Sequence, residues 1–358
     1  MRVVSVSAAL ACAWLSLLAG ACTALGAARP SPSASAATAA PPVAAPPRVT
    51  PPPALRAQLA VLHERGSPPF EIAGQRMIVR GVVTPYVAGQ TVKLSVYRDG
   101  RKVAVKVVAV VALAGGSGQF HIIYGSASAG LVQVRAVHYA TPAQPQFTAR
   151  TPSIRFASTA LSGGAQGGSV WLLQAELGAL HYDVPRTGVF DEATGRAVIA
   201  YRKVTGLERV ASTNTRVFQL LQQGAGSFRV RYRGDGRHVE ADLTKQVLAE
   251  IESGGQVHAI FMMSSGKPST PTVVGRFRVY EKTPGLNSHG MLDSNYFIAG
   301  YAIHGYAEVP IYAASHGCLR VPIPNASSIY EWVQRGTPVD VYDEYGGGSN
   351  SVRGNAGP

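Results

Sequence analysis

The sequence is poor in cysteine, in acidic residues and in long apolar runs, and each shortage excludes a class of protein. Only three of its 358 residues are cysteines, and two of these, Cys12 and Cys22, lie in a hydrophobic N-terminal segment. An exported protein that relied on disulfides for stability would carry paired cysteines in its folded part. The remaining cysteine, Cys318, has no such partner, and a lone thiol of this kind indicates a chemical role.

The apolar runs are too short and too rich in small residues for a membrane anchor. Residues 1–28 carry an apolar run at positions 8–19 followed by small residues, which is the arrangement of a secretory signal. Positions 17–22 read Leu-Leu-Ala-Gly-Ala-Cys and resemble a lipoprotein processing site, which implies lipidation of Cys22 and a membrane tether. Ordinary signal cleavage is the alternative. Residues 29–55 are nearly all Pro, Ala, Ser and Thr, a composition typical of an extended spacer.

Acidic residues are outnumbered by basic ones, 20 against 33, and the formal net charge is +13. A charge of this size predicts a polyanionic partner, which is a nucleic acid, an anionic membrane or an acidic polymer. Because the N-terminal segment predicts export, an anionic bacterial cell wall is favoured over nucleic acid. We therefore expect an exported protein of the cell envelope or cell wall.

Between the spacer and the tail, the hydrophobic periodicity changes twice, which predicts a multidomain, mainly β protein. Residues 56–157 contain short β-branched runs with Gly and Pro turns, and Asp99-Gly100 is a hairpin signal. This pattern predicts an Ig-like β-sandwich that serves as a spacer or docking module. The tail, residues 346–358, is predicted to be disordered. The predicted strands span positions 77–83, 91–97, 103–112, 120–124, 131–139 and 153–156.

Residues 165–223 follow the three-and-four spacing of amphipathic helices. Asp191 and Thr213 are in position to cap the second and third of three short helices. Through features such as Phe190-Asp191 and Gly206-Leu207, this stretch resembles a peptidoglycan-binding domain. The resemblance implies a small three-helix bundle and, as a hypothesis, contact with the sugar-peptide polymer of the wall.

Residues 230–343 return to strand patterns and contain Cys318. A thiol with a pKa near 8.5 is a poor nucleophile at neutral pH unless a base or a cation helps to form the thiolate. Two histidines are candidates for that base, since His316 lies two residues before the cysteine and His304 fourteen before it. Gly317 allows the backbone to approach a substrate closely and provides an N–H group for a developing oxyanion. Four coincident features favour a catalytic interpretation.

The same residues resemble the active-site motif of the L,D-transpeptidase catalytic domain of the YkuD type. Positions 315–320 read Ser-His-Gly-Cys-Leu-Arg, and positions 303–305 supply the upstream Ile-His-Gly. Positions 270–277 resemble a third sequence element of the same family. The loop between the two histidine elements is shorter than in many family members. The resemblance implies a β-rich catalytic domain that cross-links peptidoglycan stem peptides through a thioester acyl-enzyme.

The resemblance also implies a role for each residue. Cys318 would be the nucleophile, His304 its general base, and Gly305 the residue whose carbonyl orients the imidazole. The N–H groups of Gly317 and Cys318 would form the oxyanion hole, and no metal or other cofactor is implied. Contacts that shape the pocket or bind the peptide are expected from His316, Ser315, Arg320, Tyr296 and Phe297.

Other classes of thiol site fit the order and spacing less well. In papain-like enzymes the cysteine precedes its histidine in the chain, and sortases lack the Ser-His-Gly-Cys sequence. A zinc site made from His304, His316 and Cys318 matches no paired-ligand spacing and lacks a fourth ligand. A cysteine carboxypeptidase, an amidase-type wall hydrolase and a non-catalytic wall-binding protein remain alternatives. The acceptor that resolves the thioester also stays open: a stem peptide, a protein amine, water or a D-amino acid.

Overall fold

The computed structural model of the protein describes residues 55–62 and 70–344. The predicted export signal with Cys22, the spacer up to position 54 and the tail at 346–358 lie outside this part. The described residues form 19 strands and four helices, which confirms the prediction of a mainly β protein. Within those two ranges, no helix has the length and apolarity that crossing a membrane requires.

The strands before position 158 form two sheets whose facing side chains share one core. The sheets have the orders β1-β3-β7-β6 and β2-β10-β8-β4-β5, with β9 paired to β8. Asp99 and Gly100 both have positive φ, as the predicted hairpin turn between β4 and β5 requires. The Ig-like assignment stays a prediction. The strands are β1 Arg56–Leu62, β2 Phe70–Ile72, β3 Arg76–Thr84, β4 Thr91–Arg98, β5 Arg101–Ala109, β6 Val111–Ala112, β7 Gly118–Gly125, β8 Gly130–His138, β9 Phe147–Arg150 and β10 Ile154–Ala157.

The strand predicted at positions 103–112 is wrong as one continuous element. β5 pairs with β4 in one sheet, whereas β6 pairs with β7 in the other. The chain changes sheets at Val110, whose buried side chain joins the core at that corner. The sequence does not reveal this corner, because valines on both sides of it favour extended backbone.

Three helices follow the sandwich: α1 Gly168–Ala179, α2 Glu192–Val204 and α3 Thr215–Gln222. Asp191 caps α2 as predicted, since its Oδ1 accepts the N–H of Thr194 at 2.8 Å. The predicted cap of α3 is wrong by one residue. Asn214 takes that position and accepts the N–H of Val217, while the Thr213 hydroxyl donates to the Thr159 carbonyl.

The helices share their core with the strands that follow them. Tyr201 and Phe218 belong to one buried cluster with Val247, Ile260 and Met262, which lie on two strands of the next region. The apolar helical faces are therefore covered by a sheet as well as by one another. The three-helix bundle stays a prediction.

The C-terminal region contains two further sheets around a third core, separate from the core of the N-terminal sheets and from the core of the helices. The sheet orders are β13-β12-β11-β19-β14 and β15-β16-β17-β18, and helix α4, Ile323–Trp332, packs against β16 and β17. Ile303, Leu319 and Val321 are buried in this core. The strands are β11 His238–Asp242, β12 Val247–Ile251, β13 Val257–Met262, β14 Gly275–Arg278, β15 Glu281–Leu286, β16 Leu292–Ile298, β17 Tyr301–Tyr306, β18 Leu319–Pro322 and β19 Pro338–Tyr342.

Candidate active site

Two adjacent parallel strands bring the separated motif elements together. In β17 and β18, Ile303 lies opposite Leu319, and His304 lies opposite Arg320. Because successive side chains alternate between the faces of a sheet, one face carries apolar residues and the other carries the polar pair. The apolar face packs into the core, so His304 and Arg320 share the other side, next to Cys318.

The imidazole of His304 is held in one orientation and one tautomer. Its Nδ1 lies 2.9 Å from the carbonyl oxygen of Gly305. A carbonyl only accepts, so Nδ1 carries the proton and Nε2 is left as a basic nitrogen. The side chain is 3% exposed, and this burial, together with the nearby charge of Arg320, lowers the pKa of His304. The histidine is therefore neutral at neutral pH.

Gly305 allows helix α4 to approach the strand behind the histidine. A Cβ at this position would lie 2.6 Å from the Cβ of Ala326 and 3.2 Å from that of Leu292. Any side chain would push α4 away or shift β17. The glycine thus provides both the close packing and the carbonyl that orients His304.

Cys318 lies directly before β18 as a half-buried free thiol. Its Sγ is 3.9 Å from the carbonyl oxygen of Gly300. Burial raises the pKa of the thiol, while a backbone hydrogen bond from Ala302 and the charge of Arg320 act in the opposite direction. With a raised thiol pKa and a lowered imidazole pKa, the resting pair is a neutral thiol beside a neutral histidine.

A hydrogen-bonded turn fixes the backbone that leads to the thiol. The hydroxyl of Ser315 donates to the Cys318 carbonyl at 2.6 Å and accepts the Gly317 N–H at 3.1 Å. Ser315 is fully buried, so it holds the turn instead of contacting substrate as predicted. The Gly317 N–H is also predicted to serve the oxyanion hole. In this structure it already donates to the Ser315 hydroxyl, which would compete with a substrate oxyanion.

The conformation of Gly317 excludes other residues at this position. Its φ is +121°, and a Cβ would lie 1.7 Å from Cε1 of the Tyr301 ring. Its carbonyl accepts the hydroxyl of Thr272 at 2.8 Å, and the same hydroxyl accepts the N–H of Gly266. Thr272, which supports Gly317 from behind the turn, is not among the predicted site residues, although it lies within positions 270–277, the third stretch that resembles the family.

The structure does not bring His316 together with His304 and Cys318 as metal ligands. The His316 side chain is exposed, and its Nε2 lies 3.2 Å from the Nζ of Lys267. Across the described parts of the chain, no group of three or more His, Cys, Asp or Glu residues is arranged to hold a metal ion.

Tyr306 lies at the end of β17 and contacts both members of the polar pair, Arg320 and His304. The guanidinium carbon of Arg320 lies 3.9 Å from the centroid of the Tyr306 ring, a cation–π contact. The same ring makes an edge contact with His304 at a centroid distance of 5.7 Å. Arg320 is thereby held beside both the histidine and the thiol. Sequence alternation could have indicated Tyr306, because it lies two residues after His304 on the same strand.

Of the two aromatic residues predicted to contact the substrate, one is partly exposed and the other is buried. Tyr296 lies opposite Ala302 on β17 and is partly exposed, so it remains available at the site. Phe297 is 1% exposed, belongs to the core and contacts the ring of Phe277, so the prediction that it binds substrate is wrong. Successive side chains of a strand alternate between its two faces, so Phe297 points into the core and Tyr296 to the other side.

The helical region contacts backbone segments next to the turn at residues 315–318. Lys203 of α2 donates its Nζ to the carbonyls of Gln246 and Met263, at 3.0 and 2.9 Å. Arg209 donates to the carbonyl of Ile311 at 2.6 Å, within the loop between the two histidines. Residues 264 and 320 form an isolated β-bridge, which connects the segment after Met263 to β18.

Comparison with known proteins places this site within a family. Residues 236–341 match the family model described as the L,D-transpeptidase catalytic domain, YkuD. No curated protein matches the chain at a significant level.

Solved structures similar to this chain include an L,D-transpeptidase from Xylanimonas cellulosilytica. It is 32% identical, with 52% of this chain and 98% of that chain covered and a TM-score of 0.47. An L,D-transpeptidase from Stackebrandtia nassauensis is 20% identical, with 52% and 96% covered and a TM-score of 0.34. One from Mycobacterium tuberculosis is 13% identical, with 81% and 98% covered and a TM-score of 0.27.

Proposed function

We propose that this protein, whose residues 236–341 are an L,D-transpeptidase catalytic domain of the YkuD type, cross-links peptidoglycan stem peptides with Cys318 as nucleophile. The observation that carries the proposal is the arrangement of β17 and β18. It puts a buried, neutral His304 with a basic Nε2 on the strand next to a half-buried thiol. A base beside a nucleophile is the arrangement that covalent acyl transfer requires.

In the first step, His304 Nε2 takes the thiol proton as the sulfur of Cys318 attacks the carbonyl of the third stem residue. A C–S bond forms, the bond to the terminal D-alanine breaks, and the proton passes from His304 to the leaving amine. The positive charge of Arg320 stabilises the thiolate and the oxyanion that develops at the carbonyl. The Cys318 N–H is the remaining backbone candidate for the oxyanion hole.

In the second step, an amine from a neighbouring stem attacks the thioester. The C–N bond of the cross-link forms, the C–S bond breaks, and His304 returns the amine proton to the sulfur. We place this reaction in the cell wall, since the net charge of +13 favours association with an anionic polymer. Lipidation of Cys22 would tether the enzyme to the membrane, and the spacer would extend it into the wall.

The test of this function uses the full chain and its Cys318→Ala variant with a stem tetrapeptide. We expect the unaltered protein to release D-alanine, to form peptide dimers and to gain the mass of one acyl group or one carbapenem at Cys318. The Cys318→Ala variant should do none of these while keeping the same circular dichroism spectrum and melting temperature.

Other outcomes separate the alternatives. D-alanine release without dimers or exchange products would identify a carboxypeptidase. Unchanged dimer formation by a folded Cys318→Ala protein would contradict the assignment of the nucleophile. Binding to cell-wall sacculi without any turnover would favour the non-catalytic alternative.

A further inference from the structure

A cleft lies between the helical region and the catalytic domain. Its volume is about 890 Å³, within the range of about 300–1,000 Å³ that ligand sites usually have. Arg196 and Ile199 of α2 line one side, and Val309 and Ile323 of the catalytic domain line the other. The cleft is mainly apolar. Its charged lining residues, Asp191, Glu192 and Arg196, lie at the N-terminal end of α2.

The cleft continues the face that carries the catalytic residues. Tyr306 lies opposite Pro322 at the far end of β17 and β18, and both residues line the cleft. Pro322 is four residues beyond Cys318, a separation of about 13 Å along an extended strand. The His304–Arg320 pair lies between them. A molecule that extends from the cleft to the thiol therefore passes over the general base.

Arg196 gives the cleft its chemical preference. Its side chain is 21% exposed, and its Nε is buried without a hydrogen-bond partner. Among the described residues its one ion-pair contact is at 4.0 Å to Glu192, whose side chain is 98% exposed, and its charge also acts on the carboxylates of Asp183 and Asp191. Asp191, beside it, uses Oδ1 to cap α2. A carboxylate on a ligand would satisfy the guanidinium, as Arg binds carboxylates in bidentate fashion.

We propose that this cleft binds the acyl acceptor, and that the acceptor is a carboxylate-bearing stem peptide. The inference rests on the proposed transpeptidase function. A donor must place its scissile carbonyl on Cys318, whereas an acceptor must deliver an amine whose proton goes to His304. Tyr306 and Pro322 of the cleft lie two residues beyond His304 and Arg320, so an acceptor held in the cleft would bring its amine to the thioester past the general base. Water and free D-amino acids cannot span the distance from the cleft to the thioester and gain nothing from it.

The experiment measures how the acyl-enzyme divides between two acceptors. The full chain is given a stem tetrapeptide as donor, with a stem tripeptide and a free D-amino acid competing as acceptors. The ratio of cross-linked dimer to exchange product is determined by mass spectrometry. Arg196→Ala should lower this ratio about tenfold or more, because a charge-assisted hydrogen bond is lost. D-alanine release with the free D-amino acid alone should not change.

Two further variants control for folding and for general charge effects. Ala211 lines the cleft from an exposed position, so Ala211→Glu should also lower the ratio by repelling the acidic acceptor without disturbing the core. Arg186 is exposed on the same helical region but does not line the cleft, and Arg186→Ala should leave the ratio unchanged.

The outcomes distinguish failure of the proposed acceptor site from failure of the proposed transpeptidase function. An unchanged ratio in both Arg196→Ala and Ala211→Glu overturns the acceptor assignment. A fall in D-alanine release at constant ratio overturns it as well, and indicates that the cleft binds the donor. If the unaltered chain releases no D-alanine with either acceptor, the proposed function and this inference both fail.

Discussion

Replacement of His304 by Asn tests the assignment of the general base. The Asn amide can still donate to the Gly305 carbonyl, so the orienting contact is kept while the basic Nε2 is lost. Since burial raises the pKa of Cys318 above the ordinary value of about 8.5, at most about 3% of the thiol is ionised at pH 7. Without a base, only this thiolate reacts. We therefore expect acylation at pH 7 to slow by about a hundredfold.

The assay is the rate of thiol alkylation and of carbapenem acylation from pH 5 to pH 11. In the unaltered protein the rate should rise as His304 loses its proton, at a pH below 6.5 because its pKa is lowered, and rise again as the thiol ionises. His304→Asn should lose the first rise and keep the second, so that the two proteins converge at high pH. His316→Asn serves as the matched control and should retain both rises.

Three results would refute this reasoning. Loss of the first rise in His316→Asn but not in His304→Asn would reverse the two histidine roles. Equal profiles in all three proteins would show that another group activates Cys318. Ultraviolet absorbance of a thiolate at pH 7 in the unaltered protein would show a resting ion pair instead of two neutral groups.

Two further predictions concern the support of the site. Gly317→Ala should abolish alkylation of Cys318 at neutral pH, since the added Cβ overlaps the Tyr301 ring and the φ of +121° costs about 1–3 kcal/mol more; an unchanged rate in a folded variant would argue against a fixed turn. Burial lowers the pKa of Lys203 to about 7. Between pH 7 and pH 10 the unfolded chain therefore binds more protons than the folded protein, so the free energy of unfolding should rise by about 4 kcal/mol across that window. Lys203→Met should flatten this dependence in urea unfolding, and a parallel curve would refute the buried, neutral lysine.

The residues that the sequence located correctly are those whose positions follow from local patterns. Asp191 precedes a helical period and caps α2, and Asp99-Gly100 joins two β-branched runs in a hairpin. The family motif placed His304 and Cys318 in separate segments. Their proximity results from the parallel pairing of β17 with β18, which no sequence period specifies.

The two incorrect predictions of substrate contact, at Phe297 and Ser315, have different causes. Tyr296 and Phe297 are neighbours in one strand, so alternation puts them on opposite faces and only Tyr296 can face the site. The tight turn at Gly317 returns the Ser315 hydroxyl onto the Cys318 carbonyl, which removes it from the substrate side. The placement of Ser315 depends on the φ and ψ of the turn at Gly317, which the side-chain pattern does not determine.

The division at residues 223–230 follows the change of sequence period, but the packing continues across it. Tyr201 and Phe218 share a core with Ile260 and Met262, so this face of β13 would be exposed without the helices, while Phe261 on its other face packs in the core that contains Leu319. Hydrogen bonds from Lys203 and Arg209 then fix backbone segments next to the turn at residues 315–318. A helical region that only tethered the enzyme to the wall would need neither contact. The helices are therefore part of the scaffold that positions Cys318, and the same contacts hold together the two sides of the cleft.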